Sequence, residues 1–371
     1  MKIKVIEVSS DTNIGGAGKC LLTLLENFDY DTFDVKVVLP KNSLLKPHID
    51  KMKIKVIEVD GIADKSLDFA SVKELRRIFK REKPDVVHTH ASMSARIAAK
   101  QAGAKVVYTR HSVFPPSKRI SKGIGKLING MINNHYSDSI IAVAEAAKEN
   151  LTDTGVKESK INVVLNGVDG LSPVSTDELR ITKERFNLPD GYKAVSIVAR
   201  LEDIKGHDYF IEAADMLLRK GHKVRFYIAG TGSYEEHLKE KVKKLNRQEQ
   251  IIFTGFISDV DKLMSITDIQ ANASFGTEAT SLALLEGMSL GIPAVVSDFG
   301  GNPGVIKDGE NGFVVPKQNA QALADKIEEL LTDEELYRSM SDGAKKIFAK
   351  TFTAKAMTEQ TEEIYLDLIN R

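Results

Sequence analysis

The amino-acid sequence predicts an α/β protein built from two doubly wound domains. Short apolar runs alternate with segments of helical period, a pattern typical of a parallel sheet covered by helices. This alternation ends near residue 165 and starts again near residue 191. The chain has 371 residues, which is enough for two domains that each bury their own core.

The first series of elements occupies residues 1–165, which we predict to form the N-terminal domain. Its strands are expected at Lys2–Val8, Asp34–Leu39, Lys53–Val59, Asp85–Thr89, Lys105–Thr109, Ser139–Val143 and Ile161–Leu165. Its helices are expected at Lys19–Asn27, Phe69–Arg81, Ser94–Gln101, Gly123–Asn134 and Glu145–Asp153.

The second series occupies residues 191–353. Its strands are expected at Ala194–Val198, Val224–Ala229, Ile251–Thr254, Ile269–Ala273 and Ala294–Ser297. Its helices are expected at His207–Arg219, Tyr234–Leu245, Asp259–Ser265, Ala320–Leu331 and Glu334–Lys350, with one more between residues 281 and 291. Residues 166–190 are predicted to be a linker, and 354–371 a helix that packs back on the N-terminal domain. A ligand is expected at the carboxyl ends of the strands, in a cleft between the domains.

The composition excludes several classes of protein. Charged residues make up 28% and aromatic residues 6%. One cysteine, Cys20, excludes an internal disulfide framework and a cysteine zinc cluster. No apolar run approaches the ~20 residues that cross a bilayer, and the first ten residues alternate like a strand, without a signal-peptide core. We therefore expect a cytoplasmic protein without a nucleic-acid partner.

The stretch Phe275–Val314 organises the rest of the chain. Glu278 and Glu286 stand eight positions apart, and Thr280 and Ser281 are good N-cap residues for a helix between them. The N-terminus of such a helix is a natural phosphate site. Two glutamates, one beyond the helix tip and one in its second turn, can then hold hydroxyl groups on either side of a diphosphate.

This stretch resembles the E-x7-E signature of the family 4 glycosyltransferases, which have the GT-B fold of two Rossmann-like domains. The resemblance includes both glutamates, the run Glu286–Pro293, and the Gly300-Gly301 and Asn311-Gly312 pairs. It implies a retaining, metal-independent transfer of a hexose or N-acetylhexosamine. The donor would be a nucleotide-diphospho-sugar, UDP-linked rather than GDP-linked, and no further cofactor is expected. The family commonly has Gly-Phe-Gly after the first glutamate, whereas this chain has Ala279-Thr280-Ser281, a departure that lies near the expected donor pocket.

The resemblance also assigns donor-binding residues. Gly15 and Gly16 lie in a glycine-rich loop after the first strand, which fits neither a P-loop nor a dinucleotide fingerprint because the glycine spacing is wrong. In the family this loop lets the backbone approach the sugar and diphosphate. The full set of expected donor-binding residues is Gly15, Gly16, Asn166, Gly230, Thr280, Ser281, Leu282 and Glu286.

Two basic residues follow the first strand of the second domain. Arg200 and Lys205 match the family's R-x4-K pair, which grips the leaving diphosphate and stabilises its charge as the glycosidic bond breaks. Arginine suits a bidentate phosphate contact, and lysine acts as a compact point charge. The resemblance implies that they are catalytic, together with Glu278 at the sugar. No metal ion is then expected, because these cations and the helix N-terminus supply the positive charge.

Three histidines follow or end predicted strands. His111 comes after Lys105–Thr109, at the position where the family usually has a histidine near the donor sugar, and we expect it to be catalytic. His88 and His90 could form a metal pair, but no acid stands near them in the sequence. The sequence therefore favours a role in the wall of the cleft.

A basic, partly apolar segment precedes Asp138. No Asp or Glu occurs between Asp85 and Asp138, while apolar residues recur from Phe114 to Ile132. Two interpretations stay open, an amphipathic helix on an anionic membrane surface and a core-facing helix with a solvated basic face. The residues expected to contact the acceptor or the membrane are Arg110, Lys118, Arg119, Lys122 and Lys126.

The sequence thus predicts a glycosyltransferase that acts on a lipid-linked or cell-envelope glycan. A peripheral location on the inner face of the membrane is the expectation if the basic segment lies on an anionic surface. Two alternatives use the same fold. A sugar-nucleotide epimerase would need no acceptor. A non-catalytic module that binds nucleotide-sugars would keep the glutamates but convert no substrate.

Overall fold

The computed structural model describes residues 2–63, 65–113 and 116–371. Its internal contacts divide the chain into two compact units. Unit 1 runs from the N-terminus to Val168 and also contains Ala354–Arg371, and unit 2 is Asp169–Thr353. Each unit is built around one parallel sheet, as the sequence predicts.

Unit 1 has a seven-stranded sheet in the order β3-β2-β1-β4-β5-β6-β7. The strands are β1 (Ile3–Ser9), β2 (Phe33–Pro40), β3 (Lys55–Val59), β4 (Val86–His90), β5 (Lys105–Arg110), β6 (Ser139–Ala142) and β7 (Ile161–Val163). All neighbouring strands pair in parallel. Strand order reverses direction beside β1, so the carboxyl ends of β1 and β4 form the switch point where such sheets bind ligands.

The helices of unit 1 cover both faces of this sheet. They are α1 (Gly16–Asn27), α2 (Lys46–Lys51), α3 (Phe69–Glu82), α4 (Met93–Ala102), α5 (Lys118–Ser121), α6 (Gly123–His135), α7 (Glu145–Asp153) and the C-terminal helix, which we number α16 (Ala354–Asn370). One apolar cluster lies under α1, α2 and α16, and another lies under α3 and α4. Burial of these two clusters is the main stabilising contribution to the unit.

Unit 2 has a six-stranded sheet in the order β10-β9-β8-β11-β12-β13. The strands are β8 (Lys193–Val198), β9 (Val224–Ala229), β10 (Ile251–Gly255), β11 (Ile269–Asn272), β12 (Ala294–Ser297) and β13 (Gly312–Val315). Its helices are α8 (Thr176–Arg185), α9 (His207–Arg219), α10 (Glu235–Lys244), α11 (Val260–Ile266), α12 (Leu282–Leu290), α13 (Asn302–Val305), α14 (Ala320–Thr332) and α15 (Glu334–Thr351).

The structure differs from the sequence prediction between residues 166 and 190. We expected a linker there, but the segment contains α8, whose first turn is closed by a capping box between Ser175 and Glu178. The Ser-x-x-Glu spacing was a usable signal that we missed. Just after α8, Phe186 and Leu188 are buried in a cluster of unit 2, so these residues belong to that unit's core.

The C-terminal helix α16 belongs to unit 1 although it follows unit 2 in the chain. Tyr365 is fully buried there, with its ring 6.2 Å from that of Phe28 and 6.0 Å from that of Phe33, measured between centroids. Met357 and Leu368 belong to the same apolar cluster. The helix therefore contributes to the apolar core of unit 1.

Candidate active site

An ion pair between Lys205 and Glu278 occupies the carboxyl edge of the unit 2 sheet. Lys205 ends a short helical turn after β8, and Glu278 lies in the loop between β11 and α12. Lys205 Nζ is 2.9 Å from Glu278 Oε2 and donates to the Thr277 carbonyl oxygen, also at 2.9 Å. Both side chains are largely buried. The sequence motifs predicted separate roles for Lys205 and Glu278, at the diphosphate and at the sugar. The fold brings the two residues into one contact.

Neighbouring side chains hold the Glu278 carboxylate in place. Its Oε2 accepts hydrogen bonds from Asn272 Nδ2 at 3.2 Å and from Ser274 Oγ at 3.1 Å. Its backbone carbonyl accepts from the Gly301 N–H at 3.0 Å. Gly300 has a φ of +60°, and a Cβ there would lie 2.0 Å from the Glu278 carbonyl oxygen. Gly300 is therefore required sterically by the loop that carries Glu278.

Glycine also lets two other loops of this edge approach each other. Gly230 has a φ of +141°, and a Cβ on it would lie 2.0 Å from the Ala199 carbonyl oxygen. Gly206, directly after Lys205, has a φ of +72°, and its Cβ would lie 2.1 Å from the Ala273 carbonyl oxygen. A larger residue at either position would push apart the loops that follow β8, β9 and β11.

The N-terminus of α12 faces this same edge of the sheet. Ser281 is the N-cap residue, as predicted, but its side chain makes no capping hydrogen bond. Leu282 is the first helical residue, preceded by Thr280 and Ser281, and Glu286 falls in the second turn. A helix start without a side-chain cap presents its backbone N–H groups and positive dipole end to an anion.

Arg200 is placed differently from Lys205. It lies in the loop after β8, its side chain is 70% exposed, and Nη1 pairs with Glu202 Oε1 at 2.8 Å. An exposed ion pair of this kind contributes at most about 1 kcal/mol, so a phosphate can displace Glu202 at little cost. Of the two cations expected to bind the leaving diphosphate, Lys205 is therefore buried and Arg200 is exposed.

A chain of hydrogen-bonded side chains lies at the carboxyl edge of the unit 1 sheet. Glu7 on β1 is opposite His88 on β4 in the strand register, and His90 is two residues further along β4. His90 Nε2 lies 3.1 Å from Glu7 Oε2, and His90 Nδ1 lies 2.7 Å from Nε2 of His111, which follows β5. Because β1, β4 and β5 are neighbours in the sheet, all four side chains converge here.

Two hydroxyl groups complete the chain. The Tyr365 hydroxyl of α16 donates to Glu7 Oε1 at 2.9 Å, and Nδ1–H of His88 donates to the Tyr365 oxygen at 2.6 Å. On its other side, Nε2 of His88 lies 2.6 Å from Thr109 Oγ1. The polar groups around Glu7 are thus satisfied inside an apolar unit, as buried polar groups must be.

Protonation states follow from this arrangement. Burial alone raises the pKa of Glu7, but the charge interactions and hydrogen bonds of His88 and His90 more than reverse this effect and lower the Glu7 pKa to about 2. Burial lowers the pKa of His88, and burial together with His90 and His88 holds the pKa of His111 well below its usual value. At neutral pH, Glu7 is therefore a carboxylate, and His88 and His111 are neutral.

The carboxylate fixes the tautomers of two histidines. An ionised Glu7 only accepts, so Nε2 of His90 carries a proton, and in the neutral form of that ring Nδ1 is the acceptor. His111 must then donate to His90 through its own Nε2–H, which leaves a lone pair on Nδ1. That Nδ1 is buried and has no hydrogen-bond partner among the residues that the structure describes. His111 therefore offers one unused acceptor atom.

Glu7 corrects the sequence interpretation of His88 and His90. We rejected an acid partner because none stands near them in the sequence, but the strand pairing of β1 with β4 supplies one. The usable signal was a glutamate inside an otherwise apolar strand. Glu7, His88 and His90 each offer a metal-ligand atom, and these atoms lie within 4.8 Å of one another. In the structure each atom instead serves the hydrogen-bond chain.

Comparison with known proteins identifies the family. The model described as Glycosyltransferase Family 4 matches residues 14–170, and the model described as Glycosyl transferases group 1 matches residues 180–347. The chain belongs to the family 4 glycosyltransferases. The resemblance noted in the sequence is thereby confirmed, and the chain is an enzyme of the glycosyltransferase class.

Curated relatives of this family 4 glycosyltransferase carry related names. The putative glycosyltransferase EpsD of Bacillus subtilis is 28% identical over 80% of this chain and 80% of its own length. An Escherichia coli enzyme, UDP-Gal:alpha-D-GlcNAc-diphosphoundecaprenol alpha-1,3-galactosyltransferase, is 25% identical over 99% of this chain and 98% of its own length. Both relatives match across the two units.

Solved structures confirm the GT-B fold. The crystal structure of HepE from Anabaena in complex with UDP has a TM-score of 0.86 at 20% identity, and the match covers 98% of this chain and 100% of that one. A glycosyltransferase from Rickettsia africae also has a TM-score of 0.86, at 23% identity, with 99% of both chains covered.

The remaining predicted donor residues of the glycosyltransferase lie in unit 1. Gly15 is the N-cap of α1 and Gly16 its first residue, and a Cβ on either would have no heavy atom within 4 Å. The space beside this loop is therefore open to a ligand. Asn166 is buried, and it lines a cavity of about 20 Å³ together with His90 and His111. That volume holds about one water-sized polar group.

The basic segment of the glycosyltransferase is exposed, apolar residues included. Gly130 is the one buried residue of α6, whereas Ile124 is 76%, Leu127 67% and Met131 62% exposed. The core-facing interpretation of this helix is therefore wrong. Phe114, which we counted in the pattern, lies outside the described residues. Lys118, Arg119 and Lys122 are exposed, and Lys126 is half-buried.

None of the helices in the described parts of the chain combines the length and the apolar character that crossing a membrane requires.

Proposed function

We propose that this glycosyltransferase transfers a hexose or N-acetylhexosamine from a UDP-sugar to a lipid-linked or cell-envelope glycan, with retention of configuration and without a metal ion. The observation that carries the proposal is the Lys205–Glu278 pair beside the uncapped start of α12. It joins a cation for a diphosphate to a carboxylate for sugar hydroxyls at one edge of the unit 2 sheet.

The donor is proposed to bind through its diphosphate. The N–H groups at the start of α12, with Thr280, Ser281 and Leu282, would hold phosphate oxygens. Glu286, on the second turn, would accept hydrogen bonds from the ribose. The open space beside Gly15 and Gly16 would admit the sugar and phosphate. HepE, which shares the fold, has been crystallised with UDP and with UDP-glucose, and this favours a uridine nucleotide here.

Catalysis would rest on charge stabilisation. As the bond between C1 of the sugar and the phosphate oxygen breaks, negative charge grows on the leaving UDP. Arg200, Lys205 and the α12 N-terminus would stabilise that charge, the role a metal ion has in other transferases. The acceptor oxygen would form its bond to C1 on the same face, and its proton would pass to the leaving phosphate oxygen. No carboxylate nucleophile takes part.

His111 is proposed to bind the transferred sugar. Its free Nδ1 lone pair suits a sugar hydroxyl as donor, and its depressed pKa keeps it neutral at the pH of the reaction. Glu7 and His90 would act through His111, by fixing its tautomer, and are positioning residues.

The acceptor is proposed to be lipid-linked. The E. coli relative is named for a diphosphoundecaprenol substrate, and CapM of Staphylococcus aureus is named for capsular polysaccharide biosynthesis. The exposed apolar residues of α6 beside Lys118, Arg119, Lys122 and Lys126 would let the protein rest on an anionic membrane surface.

Product analysis tests the reaction. Purified protein would be incubated with UDP-sugars and a prenyl-diphosphate-linked sugar, with and without EDTA, and the anomeric configuration of the product read by NMR. An α-linked product from an α-linked donor, formed equally in EDTA, is expected. An inverted product would contradict the proposed mechanism, and a donor-alone incubation that changes the sugar would indicate an epimerase.

The two glutamates provide a second test. Glu286→Ala should weaken UDP binding in calorimetry, because Glu286 would hold the ribose. Glu278→Ala should leave UDP binding nearly unchanged and reduce transfer, because Glu278 would contact the sugar. Equal loss of UDP affinity in both variants would contradict this division of roles.

A further inference from the structure

A second polar cavity lies in unit 1, on the other face of the sheet from the histidines. It has a volume of about 520 Å³ and is lined by the ends of β4 and β5, by α6 and by α7. Two arginines contribute to it, Arg96 from α4 and Arg110 from the end of β5. Since side chains alternate along a strand, Tyr108 and Arg110 share the face opposite to Thr109, which contacts His88. We call this cavity the arginine pocket.

Arg96 is buried, and the residues that the structure describes give it no anionic partner. Its side chain is 2% exposed, and its guanidinium carbon lies 4.5 Å from the ring centroid of Tyr108. Its hydrogen bonds run to neutral acceptors, namely the Asn133 side chain at 3.0 Å, the Asn133 carbonyl at 3.4 Å and the Tyr136 carbonyl at 3.5 Å. These bonds use Nε and Nη2. Among the described residues, none accepts a hydrogen bond from Nη1.

The surroundings add positive charge. Arg110 Nη2 lies 3.4 Å from Asn150 Oδ1, and its Nε donates to the Ser112 carbonyl at 2.9 Å, so a second guanidinium lines the cavity. No Asp or Glu occurs in the sequence between Asp85 and Asp138, which includes both arginines. Burial lowers the pKa of Arg96 to about 10, the direction expected of a buried cation without a counter-charge.

A buried cation without a counter-ion is costly, and proteins usually pair it. Arginine forks match phosphate oxygens in geometry and form bidentate hydrogen bonds with them. The pocket also collects amide side chains, such as Asn129 and Asn150, which can donate to further oxygens. Its rim includes Ile120, which is exposed and belongs to the same basic and apolar segment as α6.

We propose that the arginine pocket binds a phosphate or diphosphate group through Arg96 and Arg110, and that this group is the phosphate of the acceptor substrate. The second part rests on the proposed function, in which the acceptor is lipid-linked. The first part does not, because an unpaired buried arginine in a polar cavity calls for an anion whatever reaction the protein performs.

The test compares two ligands on four proteins. Pyrophosphate is titrated by calorimetry into wild type, Arg96→Gln, Arg110→Gln and Arg77→Gln, with saturating UDP present so that a diphosphate site on unit 2 is filled. Arg77 is an exposed residue of α3 in the same unit and serves as the matched control. UDP alone is titrated in parallel, to show that each variant is folded and keeps its donor site.

We expect the pyrophosphate Kd to rise at least tenfold in Arg96→Gln and in Arg110→Gln, while the UDP Kd of all four proteins stays within about twofold. Should Arg96→Gln fail to fold, Arg110→Gln alone decides. The proposal is overturned if a variant that binds UDP normally also binds pyrophosphate like wild type, or if wild type binds no pyrophosphate once UDP is present.

A third ligand distinguishes the source of the phosphate. Geranyl diphosphate should bind wild type at least tenfold more tightly than pyrophosphate if the group belongs to an isoprenoid lipid, and equally if it belongs to a water-soluble acceptor. The two proposals also fail separately. A wild-type protein that binds pyrophosphate through Arg96 but transfers no sugar would overturn the proposed reaction and keep the pocket. Normal sugar transfer by both pocket variants would keep the proposed reaction and overturn the assignment of the bound phosphate to the acceptor.

Discussion

His90 Nδ1 lies 2.7 Å from His111 Nε2, and this contact determines which nitrogen of His111 is free. Glu7 holds a proton of His90 on Nε2, and in the neutral form of that ring Nδ1 can only accept. His111 therefore donates through Nε2 and keeps Nδ1 as an acceptor. A carboxylate on the first strand thus controls the hydrogen-bonding character of a residue more than a hundred positions away in the sequence.

Two substitutions at His90 separate this positioning role from packing. Asparagine places an amide oxygen near the position of Nδ1 and so keeps an acceptor for His111. Glutamine places its amide nitrogen near the position of Nε2 and provides no acceptor at the position of Nδ1. We expect kcat/KM to fall about tenfold further in His90→Gln than in His90→Asn, because a neutral hydrogen bond contributes on the order of 1 kcal/mol. Nitrogen NMR of His111 should show mixed tautomers only in His90→Gln. Equal kcat/KM values and equal spectra of the two variants would contradict the control of the His111 tautomer by His90.

Substitution of the two proposed phosphate-binding cations should have similar effects on kcat and different effects on the stability of the protein. Arg200→Met and Lys205→Met should each lower kcat by about a hundredfold, since stabilising charge on a leaving group contributes roughly 3 kcal/mol. Lys205→Met should also lower the unfolding free energy by about 2–3 kcal/mol, because Glu278 is left largely buried and unpaired. Arg200 is 70% exposed, so its loss should cost at most about 1 kcal/mol.

Adding Glu278→Gln to Lys205→Met is the control for this explanation. It removes the unpaired charge, so urea denaturation should show part of the lost stability restored while activity stays low. If the double variant is less stable than Lys205→Met, the ion pair is not the cause of the destabilisation.

The contrast between the two glutamates shows what the sequence could predict. Glu278 and its glycine turn are local features, with the partners Asn272, Ser274 and Gly301 within about thirty residues, so a sequence motif can point to them. Glu7 acts through strand pairing with β4, a contact across some eighty residues that no local pattern reveals. Periodicity recovered most helices and strands, but it missed β13, α8 and the short helices α2 and α13, whose residues lie outside the clear alternation.

His207 is a buried residue whose role is not explained by its hydrogen bonds. It is the first residue of α9, 1% exposed, and neither ring nitrogen has a partner among the described residues. Burial, with a smaller contribution from Lys205, lowers its pKa to about 4. Below pH 6.5 the unfolded chain binds a proton at this site that the folded chain does not bind until pH 4. The contribution of His207 to stability is therefore lost as the pH falls from 6.5 towards 4.

His207→Leu should remove this pH dependence and two unsatisfied buried nitrogens. We expect the variant to be at least as stable as wild type at pH 7.5, and more stable by about 2 kcal/mol at pH 5, from the linkage between pKa and stability. Urea unfolding at both pH values measures the difference. His48→Asn, at an exposed position of α2, is the control and should show no such change. A stability gain that is equal at both pH values would rule out protonation of His207 as its origin.

Substitutions on the exposed face of α5 and α6 can test whether this face binds an anionic membrane. Its basic residues flank apolar side chains that are mostly solvent-exposed, an arrangement typical of helices that lie in a membrane interface. Each basic residue near an anionic bilayer contributes about 1 kcal/mol, screened by salt within a Debye length. Replacing Lys118, Arg119, Lys122 and Lys126 with Ser should therefore weaken binding to anionic vesicles on the order of a hundredfold.

A charge-matched control comes from α3 of the same unit. Replacing its exposed residues Lys73, Arg76, Arg77 and Lys80 with Ser removes the same charge from a helix whose apolar side chains are mostly buried. Flotation with phosphatidylglycerol vesicles should show the α3 variant binding almost like wild type, and 1 M salt should release both. Replacing Ile124, Leu127 and Met131 with Ser should weaken the binding that survives in salt. If both charge variants lose binding equally, attraction depends on net charge alone, and α6 does not enter the interface.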